Sequence, residues 1–456
     1  MLGQFWENFF FIANFIPHIH VRLFQVSERI DLFESFSMFT EALKRRLKQE
    51  VDEIITELTT PQEPDAYPEI NGVIAGATDA KETVYLNAIG TKNIDTGEAI
   101  STDNVLAFFS CTKALTCMGM LILYDRGQVD LDAPASRYFK LIDTIGVIEP
   151  GQVDTDNGTF ITPPRKPKTE VTIRHLLLHT AGFSYAFVNL DYSALAFLRN
   201  PELSAVNPKM AFFSNDKTPL VHEPGSRWMY GHSSDWLGLV IQEITGKKLS
   251  QFLKETIFDV VGMDSFTFRM DDASNMVAMH RRTGEKKLKT MKKIGVPLTP
   301  EVDMGGQGCF GTVGDYLKFI RVWLNYGYSP DTNRRVILEK TARYAIKNHL
   351  PDGVGVDYEA LFGVKLPPGF VNDGFTLAGC AYSMNEMPTG RPKGAIHWSG
   401  LANLFYWIDL ENQVGGFWGS QFFPVMDLSS LMGNLRFEGQ VYEALEASKE
   451  ETGSKL

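Results

Sequence analysis

Ser110 and Lys113 stand three residues apart in Phe108-Phe109-Ser110-Cys111-Thr112-Lys113-Ala114-Leu115, where an apolar approach turns into a helical pattern. Residues three apart on a helix share a face, so the hydroxyl and the amine can meet. A serine hydroxyl becomes nucleophilic when a neighbour takes its proton, and a lysine held as the free amine can do so. Burial favours that free amine. The helix start adds unpaired N–H groups and the positive dipole end, both suited to developing negative charge. The same spacing also fits an N-cap serine followed by a solvated lysine, so the rest of the chain must decide.

Other chemistry-bearing stretches are weaker. His175 and His179 are four apart, as in a metal site, but the glutamate of a His-Glu-x-x-His helix is missing. His179 reads better as a hydrogen-bonder at a helix end. Tyr230 follows a Pro224-Gly225 turn and precedes a helix, where a phenol either packs or shuttles a proton. Gly305-Gly306-Gln307-Gly308 lacks the Gly-Lys-Ser/Thr ending of a phosphate loop and reads as a tight backbone approach to a cleft.

These candidates must be positioned by regular elements. Leu43, Leu47, Val51, Ile54, Ile55 and Leu58 predict an amphipathic helix over 39–58, and 70–76 with 82–88 predict a β-hairpin. Leu115, Met118, Leu121 and Ile122 continue the Ser110 helix to a Gly127 stop. Helices are expected over 234–245, 249–260 and 313–326, and strands over 266–269 and 276–281. Residues 286–293 read as a basic, solvated loop and 348–368 as a rim or lid. Three strands at 396–400, 404–409 and 414–418 and a helix over 426–447 close the chain. The order favours an α+β fold.

Composition narrows the class. The chain has 456 residues, 44% hydrophobic and 22% charged, enough for a large core. A net charge of −11 argues against nucleic acid and anionic lipid as partners. Cys111, Cys117, Cys309 and Cys380 lie in apolar contexts without metal-ligand spacing, which suggests reduced thiols and a cytoplasmic protein. Residues 5–15 are aromatic but too short and interrupted to span a bilayer, and no basic region precedes them as in a secretory signal. Stable membrane insertion is not expected.

Five separated stretches, in order, resemble the serine β-lactamase-like superfamily, in its branch of class C-like carboxylesterases and acyltransferases. Ser110-Cys111-Thr112-Lys113 matches the nucleophile motif. Tyr230-Gly231-His232 stands where the family places Tyr-x-Asn. His397-Trp398-Ser399-Gly400 stands where it carries Lys-Thr-Gly or Trp-Gly-Gly. The 178–182 and 305–308 stretches match two further family positions near the cleft. Each motif is weak alone; together they cover roughly Phe39 to Ala447.

The resemblance implies a β-lactamase/transpeptidase-like fold, with an antiparallel sheet flanked by helices and an inserted, mostly helical lobe. It divides the chain into an extension 1–37, an α/β lobe of 38–109 and 296–447, a helical lobe 110–295 and a tail 448–456. It also implies that Ser110 forms an acyl-enzyme, that Lys113 and Tyr230 handle protons, and that the N–H groups of Ser110 and Gly400 hold the oxyanion. His397, Trp398 and His232 would border the substrate. No metal or cofactor is implied. A histidine and a tryptophan at 397–398, instead of a fixed cation, point away from anionic β-lactams and toward neutral, apolar esters, with a small-molecule alcohol as a possible acceptor. The alternatives are a β-lactamase or D-Ala-D-Ala peptidase, and a non-catalytic ligand-binding member.

Overall fold

The protein is described by a computed structural model over residues 38–452, apart from 64–65, 200, 207, 285–286, 293–294 and 364–369. The expected extension 1–37 lies outside the described residues. Helix α1 (Glu41–Thr59) starts where Thr40 Oγ1 accepts the Leu43 N–H at 3.3 Å. Its buried stripe is the one its spacing predicts, from Leu43 to Leu58. Fully burying one such aliphatic side chain contributes roughly 1.5–3 kcal/mol, so the stripe fixes which face meets the body.

That body is an eight-stranded sheet built from both ends of the described chain. Its strands are β1 (Gly72–Asp79), β2 (Thr83–Asn93), β3 (Glu98–Ala99), β4 (Gly374–Phe375), β5 (Ala381–Tyr382), β6 (Ile396–Gly400), β7 (Leu404–Asp409) and β8 (Val414–Gly419). The order is β4-β5-β6-β7-β8-β1-β2-β3, every pairing antiparallel. The β1–β8 pairing, Ile74 opposite Gly419 to Asp79 opposite Val414, joins the two halves. Gly415 and Gly416 are required there: a Cβ at 416 would lie 2.2 Å from the Trp407 ring, and one at 415 would lie 2.7 Å from Ile320.

One face of the sheet is covered by α1 and the closing helix, through Phe437, Val441 and Leu445. The other meets the larger core, which includes α2 (Thr112–Asp125), α3 (Ser233–Thr245) and α4 (Val313–Leu324). Helix α2 is buried on every side from Thr112 to Leu123 and ends at Gly127, in the left-handed region at φ 67°. No helix of the described residues is long and apolar enough to cross a membrane.

Several expectations are corrected. The expected strands at 266–269 and 276–281 make isolated bridges, Thr267 to Phe310 and Met276 to Val105, before a regular strand at His280–Thr283. Lys287–Thr290, within the stretch expected to be a solvated loop, pairs with that strand. It alternates, Leu288 inward and the lysines outward, which suits an edge strand. Helix 249–260 widens into a π-turn at Lys254–Phe258, and a short helix at Tyr358–Phe362 occupies part of the expected rim loop. The closing helix, α5 (Leu428–Thr452), runs past Ala447 into the expected tail, because Ser448 is buried and its hydroxyl donates to the Met38 carbonyl.

His280 ties the small sheet to the large one: its Nε2 accepts the Ile94 N–H at 3.2 Å. Burial pushes its pKa down from 6.5 to about 4. A depressed histidine stabilises the fold fully above its unfolded value and loses that contribution as pH falls from about 6.5 toward 4. The contribution is at most roughly 3 kcal/mol. His280→Gln should therefore flatten the decline of the urea midpoint between pH 6.5 and 4. Parallel declines in both proteins would reject this role.

Candidate active site

Ser110 is presented by a 3₁₀ turn, Phe109–Cys111, that feeds α2. Phe108 is buried against Phe266, Tyr316 and Phe417, at ring distances of 4.8, 5.1 and 5.3 Å. With Phe108 anchored, the chain turns at Phe109, a non-glycine residue at φ 45°. Tyr316 donates to the Cys111 carbonyl at 3.0 Å, and Thr112 Oγ1 accepts the Cys309 N–H at 3.1 Å. From the sheet side, β6 lies directly on this turn, since a Cβ at Gly400 would come 2.7 Å from the Phe108 carbonyl oxygen.

Lys113, one turn further along α2, is fully buried. Its Nζ reaches Ser110 Oγ at 3.1 Å, Tyr185 OH at 3.1 Å and the Gly306 carbonyl at 2.8 Å. Tyr230 OH donates to Ser110 Oγ at 2.6 Å and accepts from Trp398 Nε1 at 3.3 Å. Tyr230 arrives on a stretch without regular secondary structure, pinned by the Met229 N–H on the His179 carbonyl, 2.8 Å. Gly231 follows it of necessity, because a Cβ there would lie 2.3 Å from the Phe183 carbonyl. A serine hydroxyl flanked by an amine and a phenol can lose its proton to one while the other protonates a departing oxygen.

The surroundings keep other groups out of this exchange. Burial, reinforced by Asp235 and Tyr230, pushes the Tyr185 hydroxyl well above the usual phenol range, so it stays a phenol beside Lys113. Burial also drives His179 well below the ordinary imidazole value, helped by Lys113 and His232, which keeps its ring uncharged. The helix Ile173–Leu177 ends before His179, which adopts φ 56° and packs its ring 5.2 Å from that of Tyr230. His175 caps the start of the same helix, so the two histidines do not share a face as their spacing suggested.

Ser110, Lys113, Tyr230, Trp398 and Gly400 thus come together. His397 does not join them. Strand alternation turns it to the opposite face, where Nε2 lies 3.0 Å from Asp373 Oδ2. Burial would raise the Asp373 carboxyl, but bonds from His397, the Met384 N–H and Tyr358 hold it below the usual range. The cleft-facing residue of β6 is Trp398. His232 lies beside the site without a hydrogen bond to Lys113; its Nδ1 is 2.7 Å from Asp235 Oδ2. Sequence reasoning missed Tyr185, Asp235 and Gly306 as partners. The i, i+3 spacing of His232 and Asp235 was the available signal for one of them.

A family model described as Beta-lactamase matches residues 60–427. The chain belongs to the beta-lactamase family. Among its relatives, monacolin J acid methylbutanoyltransferase of Aspergillus terreus is 26% identical, over 75% of this chain and 84% of that one. Lovastatin esterase of Penicillium rubens is 27% identical, over 83% and 96%. Unliganded simvastatin synthase of Aspergillus terreus shares the fold, with a TM-score of 0.71 at 22% identity over 88% and 98% of the chains. This member of the beta-lactamase family is an enzyme of the esterase and acyltransferase group of that fold.

The two neighbours on β6 separate the roles in this beta-lactamase-family site. Trp398→Phe keeps an aromatic, though smaller, side chain but removes the N–H that Tyr230 accepts, and should slow acylation by about tenfold, the size of one hydrogen bond. His397→Asn should cost stability with acylation within about threefold of native. The reverse ranking in stopped-flow acylation would return His397 to the cleft.

Proposed function

We propose that this chain takes the acyl group of a neutral, apolar ester onto Ser110 and passes it to water or to a small-molecule alcohol. The observation that carries this reading is Ser110 Oγ held at 3.1 Å from a buried amine and 2.6 Å from a phenol. Lys113, as the free amine, takes the hydroxyl proton while Oγ attacks the ester carbonyl. The N–H groups of Ser110 and Gly400, on the turn and on the strand laid against it, receive the oxyanion; one such donor is typically worth ~10²–10³ in rate. Tyr230 then gives its proton to the leaving alkoxide, and the Trp398 N–H stabilises the phenolate left behind.

The second half reverses these transfers. The incoming alcohol or water gives its proton to Tyr230 as its oxygen attacks the acyl carbon. Lys113 then returns its proton to Ser110 as the acyl–serine bond breaks, and every group regains its starting state. An indole at the cleft-facing position of β6 supports neutral substrates over anionic ones. Relatives named for methylbutanoyl transfer and for lovastatin ester cleavage support secondary-metabolite esters and leave both water and alcohol as acceptors. Four buried, unpaired cysteines support a reducing, cytoplasmic setting.

Intact-mass spectrometry after brief exposure to p-nitrophenyl butyrate tests the reading. The native protein should gain one acyl group and Ser110→Ala none. Lys113→Arg, which cannot act as a free amine, and Tyr230→Phe should each acylate slower by about 10²-fold or more. An adduct that persists in Ser110→Ala would remove the serine from its role. Adding alcohols of increasing size decides the acceptor: faster loss of the adduct with formation of a new ester identifies transfer, and loss unaffected by alcohol identifies hydrolysis.

A further inference from the structure

Where the family motif has asparagine, this chain has His232, and the contacts around it form a chain of their own. Asp235, three residues on in the first turn of α3, has a fully buried carboxylate. It accepts from His232 Nδ1 at 2.7 Å and from the Gly306 N–H at 2.7 Å. The backbone at 306 is confined: a Cβ would lie 2.8 Å from Asp235 Oδ1 and 2.9 Å from Tyr185 OH. The preceding residue is fixed by α2, since Thr116 Oγ1 donates to the Gly305 carbonyl at 2.8 Å. Gly306 then presents its own carbonyl to Lys113 Nζ.

His232 also braces the other acceptor. Its ring meets that of Tyr185 edge-on, at 4.4 Å and 73°, and the Tyr185 hydroxyl is the remaining partner of Lys113 besides Ser110. Phe212 packs against the imidazole at 5.0 Å, so its orientation is set by packing as well as by Asp235. We infer that His232 and Asp235 are positioning residues that hold the two acceptors, the Gly306 carbonyl and the Tyr185 hydroxyl, which aim Lys113 Nζ at Ser110 Oγ. An asparagine in the motif could act on the lysine directly; here the same task is done through a buried imidazole–carboxylate pair and a glycine loop. The inference rests on the reading that Lys113 takes the proton of Ser110.

A histidine that merely fills the core would lower stability without selectively slowing the acylation step. Asp235→Asn and His232→Leu should each reduce the stopped-flow acylation rate constant with p-nitrophenyl butyrate by about 10²-fold, the scale of a misplacement near 1 Å. KM should stay within about twofold, because uniform ester binding is untouched. The double variant should be no slower than the slower single one, as for two residues acting as one unit. His232→Asn, which places an amide donor near the position of Nδ1, should recover acylation to within about tenfold of native. Near-UV circular dichroism verifies folding; if His232→Leu does not fold, the isosteric Asp235→Asn carries the test.

Folded variants that acylate at the native rate would overturn the inference, as would losses that add in the double variant or that His232→Asn fails to recover. Its failure is distinct from that of the proposed function. A native protein that forms the Ser110 adduct while these variants match its rate rejects only the positioning pair.

Discussion

Lys113 carries its amine on a side chain with no solvent exposure and finds three partners inside the protein, Ser110, Tyr185 and Gly306. An amine removed from water costs several kcal/mol unless its hydrogen bonds are replaced, so this position is tolerable only with all three partners present. The partners come from separate segments: the turn before α2, the stretch after the Ile173–Leu177 helix, and the glycine loop before α4. None of the segments alone can satisfy the amine. Packing of α2 against α3 and the loop is therefore a precondition for the site, and the site in turn specifies that packing.

A second constraint is close backbone approach. The 3₁₀ turn, β6 and the 305–306 loop meet with no room for side chains at Gly400, Gly305 or Gly306. The left-handed Phe109 is held by neighbours on both sides, the stacked Phe108 before it and the buried α2 after it. Such strain persists only where the surroundings over-determine the backbone. It places Ser110 at a corner, half-exposed, while the residues around it are buried. A nucleophile needs that combination of a rigid base and an open face.

Legibility followed distance along the chain. Ser110 and Lys113 were readable because their meeting depends on one helical turn, α1 because it buries a periodic stripe, and α2, α3 and the β-hairpin because apolar runs stand between turn signals, although α2, most of α3 and β1 are buried all round. Tyr230 was readable from its motif, although its approach to Ser110 spans 120 residues. The 397–398 pair was harder. In a strand, a shift of one residue exchanges faces, so a motif aligned one position off assigns His397 the environment that Trp398 occupies. Asp235 looks like any acid in the first turn of a helix, where it complements the dipole. Only the fold shows that it is buried beneath the lysine's acceptor loop. Lys287–Thr290 was misread because its charges mask a single inward leucine.

The rings around Ser110 also limit how the enzyme can discriminate. Tyr185 and Tyr230 meet edge to face at 5.1 Å, Tyr230 and Trp398 lie 5.3 Å apart, and Trp398 stands perpendicular to Phe375 at 5.5 Å. Phe187, 61% exposed, stacks on Tyr185 at 5.2 Å and extends this wall toward solvent. Aromatic walls of this kind offer apolar area with polar groups only at their tips. The tips of Tyr230 and Trp398 are already occupied with each other, and that of Tyr185 with Lys113. Selection among acyl groups therefore rests on apolar contact, where one methylene is worth about 1–3 kcal/mol and 10–200-fold. Lys113 adds no free counter-ion to this wall, because its amine is already engaged by three partners. The same arrangement that makes Lys113 available to Ser110 thus makes it unavailable as a counter-ion.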